Sequence, residues 1–170
     1  MSTMGHTKTP LPGKDDVEEA VARFGSEMYG LALAITANLH DAEDAYQTAW
    51  FDALRNWTRI RDVSKRRSWL ASIAARSAIR VRRRHALSSR LHVPFSEASE
   101  LSSVMQWDAE LGAAIGQLST RQRAVITLHY GHGFTLDEVA VILKLRGGTV
   151  RSHLARALAS LRLHVGDDRG

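Results

Sequence analysis

The sequence predicts an all-α protein built as two small helical domains joined by a linker, the second of them a helix-turn-helix domain. Three observations carry this. Apolar residues recur at spacings of three and four through both halves, with no alternating run long enough for a strand. A Ser-rich stretch containing Pro94 interrupts the periodicity near the middle. Charge comes in two acidic-then-basic blocks, one on each side of that interruption.

Val17, Val21, Phe24, Met28, Leu31 and Ile35 draw one stripe along a first helix, which Asp15 or Asp16 could cap. Asn38 to His40 reads as a turn, with Asp41 capping a second helix whose core face uses Ala42, Ala45, Ala49, Ala53 and Leu54. Trp57 to Lys65 is a basic, irregular connection. A third helix runs from about Arg66 to His85, turning Leu70, Ile73, Ala74, Ser77 and Val81 inward. These segments make a first domain over residues 14–86, followed by a linker over 87–105 and a second domain over 106–165. In the second domain, Trp107 to Gln117 forms a helix and Ser119 caps another that runs to about Tyr130 and ends at Gly131 and Gly133. Thr135 caps a short helix to about Leu143, and the last helix runs from near Gly148 to about Leu163.

The chain has 170 residues, 44% hydrophobic and 24% charged, a globular composition. The longest apolar runs, Leu31 to Ile35 and Val139 to Leu143, are far below the roughly 18 residues a membrane helix needs, so no membrane insertion is expected. The start MSTMGHTKTPLPG lacks the apolar core of an export signal, and a cytoplasmic protein is the expectation. With no cysteine, disulfides, thiolate zinc sites and thiol catalysis are excluded. His129 and His132 are three apart, but no third metal ligand stands at a compatible spacing. No glycine-rich phosphate loop follows a strand and no Ser, His and Asp set can be argued. The reading is therefore not an enzyme, with no cofactor and no small-molecule substrate.

Residues 15–54 hold nine acids and one base, whereas residues 55–92 hold twelve bases against Asp62 alone. Residues 144–163 carry five bases and no acid. Arginine clustered in this way on a folded surface suits a polyanion, nucleic acid first. In the second domain, Leu136, Val139, Ala140 and Leu143 give one inward face and Val150, Leu154, Leu158 and Leu161 the other, with a short turn between, as in a helix-turn-helix. A wheel of the second helix leaves Gly148, Ser152, Ala155, Arg156 and Ala159 opposite the core, flanked by Thr149, Arg151 and His153. Lys144 and Arg146, in the turn, suit phosphate contacts. In the first domain Arg76, Arg80, Arg83 and Arg84 form a ridge able to follow a phosphate backbone. Arg59, Arg61, Lys65, Arg66 and Arg67 stand near Trp57 and Trp69, and cations beside indole rings suit single-stranded DNA. The exposed side of the second helix carries Asp44, Gln47, Thr48, Phe51 and Arg55.

The segments DAEDAYQTAWFDALRNW and SWLASIAARSAIRVRRR, then a linker, then LSTRQRAVITLHYGHGFTLDEVAVILKLRGGTVRSHLARAL, together resemble the two-domain bacterial sigma factors of the extracytoplasmic-function group, over about residues 18–163. The resemblance implies core RNA polymerase and promoter DNA as partners, and allows an anti-sigma factor as a third. It implies a first domain, region 2, that binds the polymerase clamp and opens the minus-ten element, and a second, region 4, that binds the minus-35 duplex. Carried over by position, it places the polymerase contact on Asp41, Glu43, Asp44, Gln47 and Phe51. With those region roles, the ridge and loop give minus-ten contacts at Arg61, Lys65, Arg66, Trp69, Arg76, Arg80, Arg83 and Arg84, and the wheel and turn give minus-35 contacts at Lys144, Arg146, Thr149, Arg151, Ser152, His153 and Arg156. The rival reading is a helix-turn-helix regulator acting as a homodimer on palindromic sites, which needs an apolar dimer surface on the first domain. The acidic-then-basic first domain argues against it.

Overall fold

The structure, a computed structural model, describes residues 13–60, 62–88 and 108–166. Helix α1 spans Lys14–Thr36, α2 Leu39–Arg55 and α3 Arg66–Ser88. They pack against one another as a three-helix first lobe. The 3-10 turns Trp57–Arg59 and Val63–Lys65 join α2 to α3.

Two starts differ from the sequence reading. Gly13, not Asp15 or Asp16, is the cap residue of α1. Asn38, not Asp41, caps α2: its side chain accepts from the Asp41 N–H at 2.9 Å, so the helix opens three residues sooner. The alanine face of α2 is buried as its spacing predicts, with Ala42, Ala45, Ala49 and Ala53 fully covered. Such small side chains let α1 and α3 approach closely.

The second lobe is a run of short helices, α4 Ala109–Gly116, α5 Thr120–Ile126, α6 Leu136–Leu143 and α7 Gly147–Gly166. Ser119 and Thr135 each cap as the sequence predicts, both completing capping boxes with the residue three positions on. The chain does not stay α-helical from Ser119 to Tyr130. Residues Thr127–Gly131 form a π turn in which the His132 N–H donates to the Thr127 carbonyl at 3.0 Å. Gly133 follows at φ +74, a conformation that excludes most side chains.

α6 and α7 make the helix-turn-helix. Lys144 ends α6 in the left-handed region at φ 53, with its N–H donating back to the last turn. A lysine there is strained by about 1 kcal/mol relative to glycine.

One feature exceeds the sequence reading. Leu31, Ala32, Leu33, Ala34, Ile35 and Thr36 are all fully buried, so the end of α1 is covered on every side rather than along a stripe. The reason is that the lobes dock. Ala124, Val125, Leu128, Phe134, Val139, Ile142 and Leu143 belong to the same buried cluster as the first lobe's core. The separate core of the second lobe is small, formed by Ile115, Leu118, Ile126 and Ala157. Helices of seven or eight residues cannot bury much among themselves, and α1 completes their cover.

Candidate nucleic-acid and polymerase surfaces

On α2, Glu43, Gln47 and Phe51 are exposed and Asp44 is half-exposed, along one side of the helix. Phe51 is 60% exposed, with the Arg55 guanidinium 5.5 Å from its ring centre. Asp41 does not share this surface, although the sequence groups it there. Its carboxylate is 3% exposed and held by Arg82 Nη1 at 3.0 Å and by His85 Nδ1. It ties the start of α2 to the end of α3. A carboxylate among buried alanines needs such partners, and the partners lie more than forty residues on in the sequence.

The cations of the minus-ten set are mostly engaged. Arg76 folds back on its own helix, donating to the Ser72 carbonyl at 2.9 Å and to Ser72 Oγ at 3.0 Å. Arg80 pairs with Asp52 at 3.4 Å and Lys65 with Asp62 at 3.7 Å. Arg66 lies over the Trp57 ring, which in turn meets Trp69 edge to face at 6.1 Å. Trp69 is half-buried and Trp57 buried, so the indoles are chiefly core here. Arg83 and Arg84, near the end of α3, are exposed. Arg61 lies outside the described residues.

The helix-turn-helix differs in kind. Gly148, Ser152, Ala155, Arg156 and Ala159 are all exposed, the face the helical wheel predicts. Thr149 and Arg151 are exposed beside them, as are Lys144 and Arg146 in the turn, and His153 is half-buried. The Arg151 guanidinium folds over Gly147, where even a methyl group would stand 3.5 Å from it. Burial, and then the charges of Arg121 and Arg156, push the His153 pKa below its ordinary value, so the ring enters neutral pH uncharged. A neutral imidazole can donate or accept at a base edge.

Two arginines escaped the sequence-based site set. Arg67 leaves α3 toward the second lobe, and Arg123 is 5% exposed at the lobe junction. The signal for Arg123 was available: it directly precedes the run Ala124 to Leu128, all of it buried. Of the two histidines weighed as metal ligands, His129 Nδ1 is engaged by the Phe134 carbonyl and His132 by Glu27.

Sigma-70 region 2 matches residues 20–87 and Sigma-70, region 4 matches residues 108–161. The ECF RNA polymerase sigma factor SigL of Mycobacterium tuberculosis is 31% identical over 146 residues, covering 80% of this chain and 81% of the relative. RNA polymerase sigma factor SigV of Bacillus subtilis is 28% identical over 143 residues, 82% and 84% of the two chains. Among solved structures, the sigma factor RpoE of Bartonella quintana, crystallised with the anti-sigma factor NepR, superposes with a TM-score of 0.66 at 23% identity, over 92% of this chain and all of that one. CnrH, solved with the cytosolic domain of CnrY, gives 0.64 at 24%, over 92% and 91%. These two likenesses establish the shared fold. The helix-turn-helix and the acidic-then-basic helical lobe thus define a transcription initiation factor. The chain belongs to the extracytoplasmic-function RNA polymerase sigma factors, which direct core polymerase to promoters.

Proposed function

We propose that the chain acts in the cytoplasm as a non-enzymatic initiation factor, with residues 14–86 as region 2, 87–105 as linker and 106–165 as region 4. Glu43, Asp44, Gln47 and Phe51 form the polymerase contact, and Asp41 serves that surface only by fixing where α2 begins. Arg61, Lys65, Arg66, Trp69, Arg76, Arg80, Arg83 and Arg84 form the minus-ten surface. Lys144 and Arg146 hold phosphates while Thr149, Arg151, Ser152, His153 and Arg156 face the bases of the minus-35 duplex. An anti-sigma factor is a further partner in this reading.

The observation that carries it is the outer face of α7. It presents two exposed arginines among Gly, Ser and Ala, and residues 144–163 contain no acid to compete for them. Small side chains admit the helix to a groove, and a guanidinium can bond both acceptors of a guanine edge. Binding to a panel of single-base minus-35 variants tests the assignment. Arg151→Ala or Arg156→Ala is expected to cost about 1–3 kcal/mol on the cognate duplex and to flatten discrimination at one base pair. Lys144→Ala and Arg146→Ala are expected to weaken every sequence alike. The reverse pattern would overturn the docking.

No helix among the described residues is long and apolar enough to cross a membrane. Within them no group of three or more His, Cys, Asp or Glu could hold a metal ion.

A further inference from the structure

Two consecutive glycines open the recognition helix, and their surroundings differ. A Cβ built on Gly148 would meet nothing within 4 Å, whereas one on Gly147 would meet Arg151 Nη2 at 3.5 Å, Nη1 at 3.6 Å and Cζ at 3.8 Å. The head of that guanidinium therefore lies over Gly147, with both terminal nitrogens nearest. In keeping with this, Gly147 is half-buried while Gly148 is exposed.

The arrangement follows from helix geometry. Side chains on a helix lean toward its amino-terminal end, so the residue at i+4 covers the residue at i. Arg151 stands four positions after Gly147, and the missing side chain at 147 leaves room for it to lean back over the first turn of α7. The first turn of a recognition helix is the part whose residues meet base edges in the groove. Glycine offers the guanidinium packing and no side-chain acceptor, and residues 144–163 hold no acid to engage it, so its donors stay available. An arginine has much rotamer freedom to lose on binding. One already resting at the first turn loses less of it.

We infer that Gly147 is a positioning residue for promoter reading: it sets Arg151 at the leading end of α7, aimed at one base edge of the minus-35 duplex. Gly148, one residue on, has no such neighbour and serves only close approach to the groove. A methyl group at 147 meets the guanidinium at ordinary contact distance. The branches of valine extend further into its place and turn it off the first turn. Selectivity at one base pair thus depends on a residue that has no side chain to touch DNA. The inference rests on Arg151 facing the bases, as proposed above.

The test uses the full chain with core polymerase and promoters randomised at the minus-35 element, where sequencing the transcribed set gives the preference at each base pair. Arg151→Ala is expected to relax one base pair, and Gly147→Val to relax the same one. The preference there should fall about tenfold for valine and about two- to threefold for Gly147→Ala, a contact of this kind being worth that much or more. Urea midpoints should not fall, because alanine and valine both suit a helix better than glycine. In an Arg151→Ala background, Gly147→Val is expected to change no preference further. A folded Gly147→Val protein that keeps its full preference at that base pair would overturn the inference. So would an equal loss at every base pair, or the same further loss in the Arg151→Ala background, since the glycine would then serve only the approach of the backbone to DNA. If Arg151→Ala alone relaxes no base pair, base reading by Arg151 fails and the positioning role falls with it, a result read without any change at 147.

Discussion

The first lobe spends most of its cations on itself, while the recognition helix of the second leaves its cations to solvent. Arg67, Arg76, Arg80 and Arg82 each have a partner in Glu27, Ser72, Asp52 or Asp41. On the recognition helix no described carboxylate lies within ion-pair distance of Arg151 or Arg156. The difference follows from sequence placement. The nine acids of residues 15–54 fold directly beside the bases of α3, whereas residues 144–163 contain none. A basic block thus has two uses, joining helices where acids face it and presenting charge where they do not. Net charge alone does not distinguish them.

Substitutions that remove internal partners should damage folding, and those on α7 should damage only binding. The largest effect is expected for Arg123→Ala, which strands three carbonyls, those of Ile35, Gly116 and Leu118, around a buried cationic site. Its pKa, pulled down by burial and then by Arg82, is about 10, so the group stays charged at neutral pH. Loss of about 3 kcal/mol in urea unfolding is expected, at about 1 kcal/mol or more for each bond lost. Asp41→Asn should cost about 2–3 kcal/mol, since Arg82 and His85 then lose the Asp41 charge. A full-strength fold for that variant with lost polymerase binding would return Asp41 to the contact surface. Asp44→Ala with Gln47→Ala should do the opposite, weakening polymerase binding with stability within about 0.5 kcal/mol.

Smaller effects sharpen the comparison. If Arg80 must first leave Asp52, Arg80→Ala should reduce the salt slope of promoter opening by less than Arg83→Ala, whose full contact is worth about 0.7–0.9. Equal slopes would mean that the Asp52 pair does not hold Arg80 back. The smallest effect concerns acid. Burial alone would raise the Glu27 pKa, but hydrogen bonds from His132 and Arg67 and their charge outweigh it and hold the carboxyl below its ordinary 4.5. A carboxylate depressed in the folded state contributes stability that is complete above the unfolded value and fades as pH falls through the folded one. Stability of the wild type should therefore fall faster than that of Glu27→Gln below about pH 4.5. Parallel curves would remove Glu27 from the set of folding contacts.

Much of this was legible in the sequence, because caps and helical periodicity are local. Ser119 and Thr135 cap where their spacing says, and the outward strip of α7 follows from a wheel of one helix. Asp41 was misplaced because its partners Arg82 and His85 are brought near only by the fold. The apolar run Leu31 to Ile35 was visible too, though as evidence against a membrane span. All five are buried, so this stretch of α1 keeps no outward face and registers a second lobe pressed against the first, whereas the equally long run Val139 to Leu143 leaves Val141 exposed. Arg67 stands in the sequence as one of several cations beside the indoles, since composition does not say which member of a block turns toward the other lobe.

The π turn at Thr127–Gly131 bears on how this chain can change its length. Such a turn holds one residue more than an α-helix needs, and the surplus is absorbed without breaking the hydrogen-bond ladder. Removing a single residue there would restore regular winding yet rotate all that follows by about 100°, one residue's share of a helical turn. His132, Phe134 and the whole helix-turn-helix would swing with it, away from Arg67 and α3. A one-residue deletion in these five positions is then a change of aim for the second lobe.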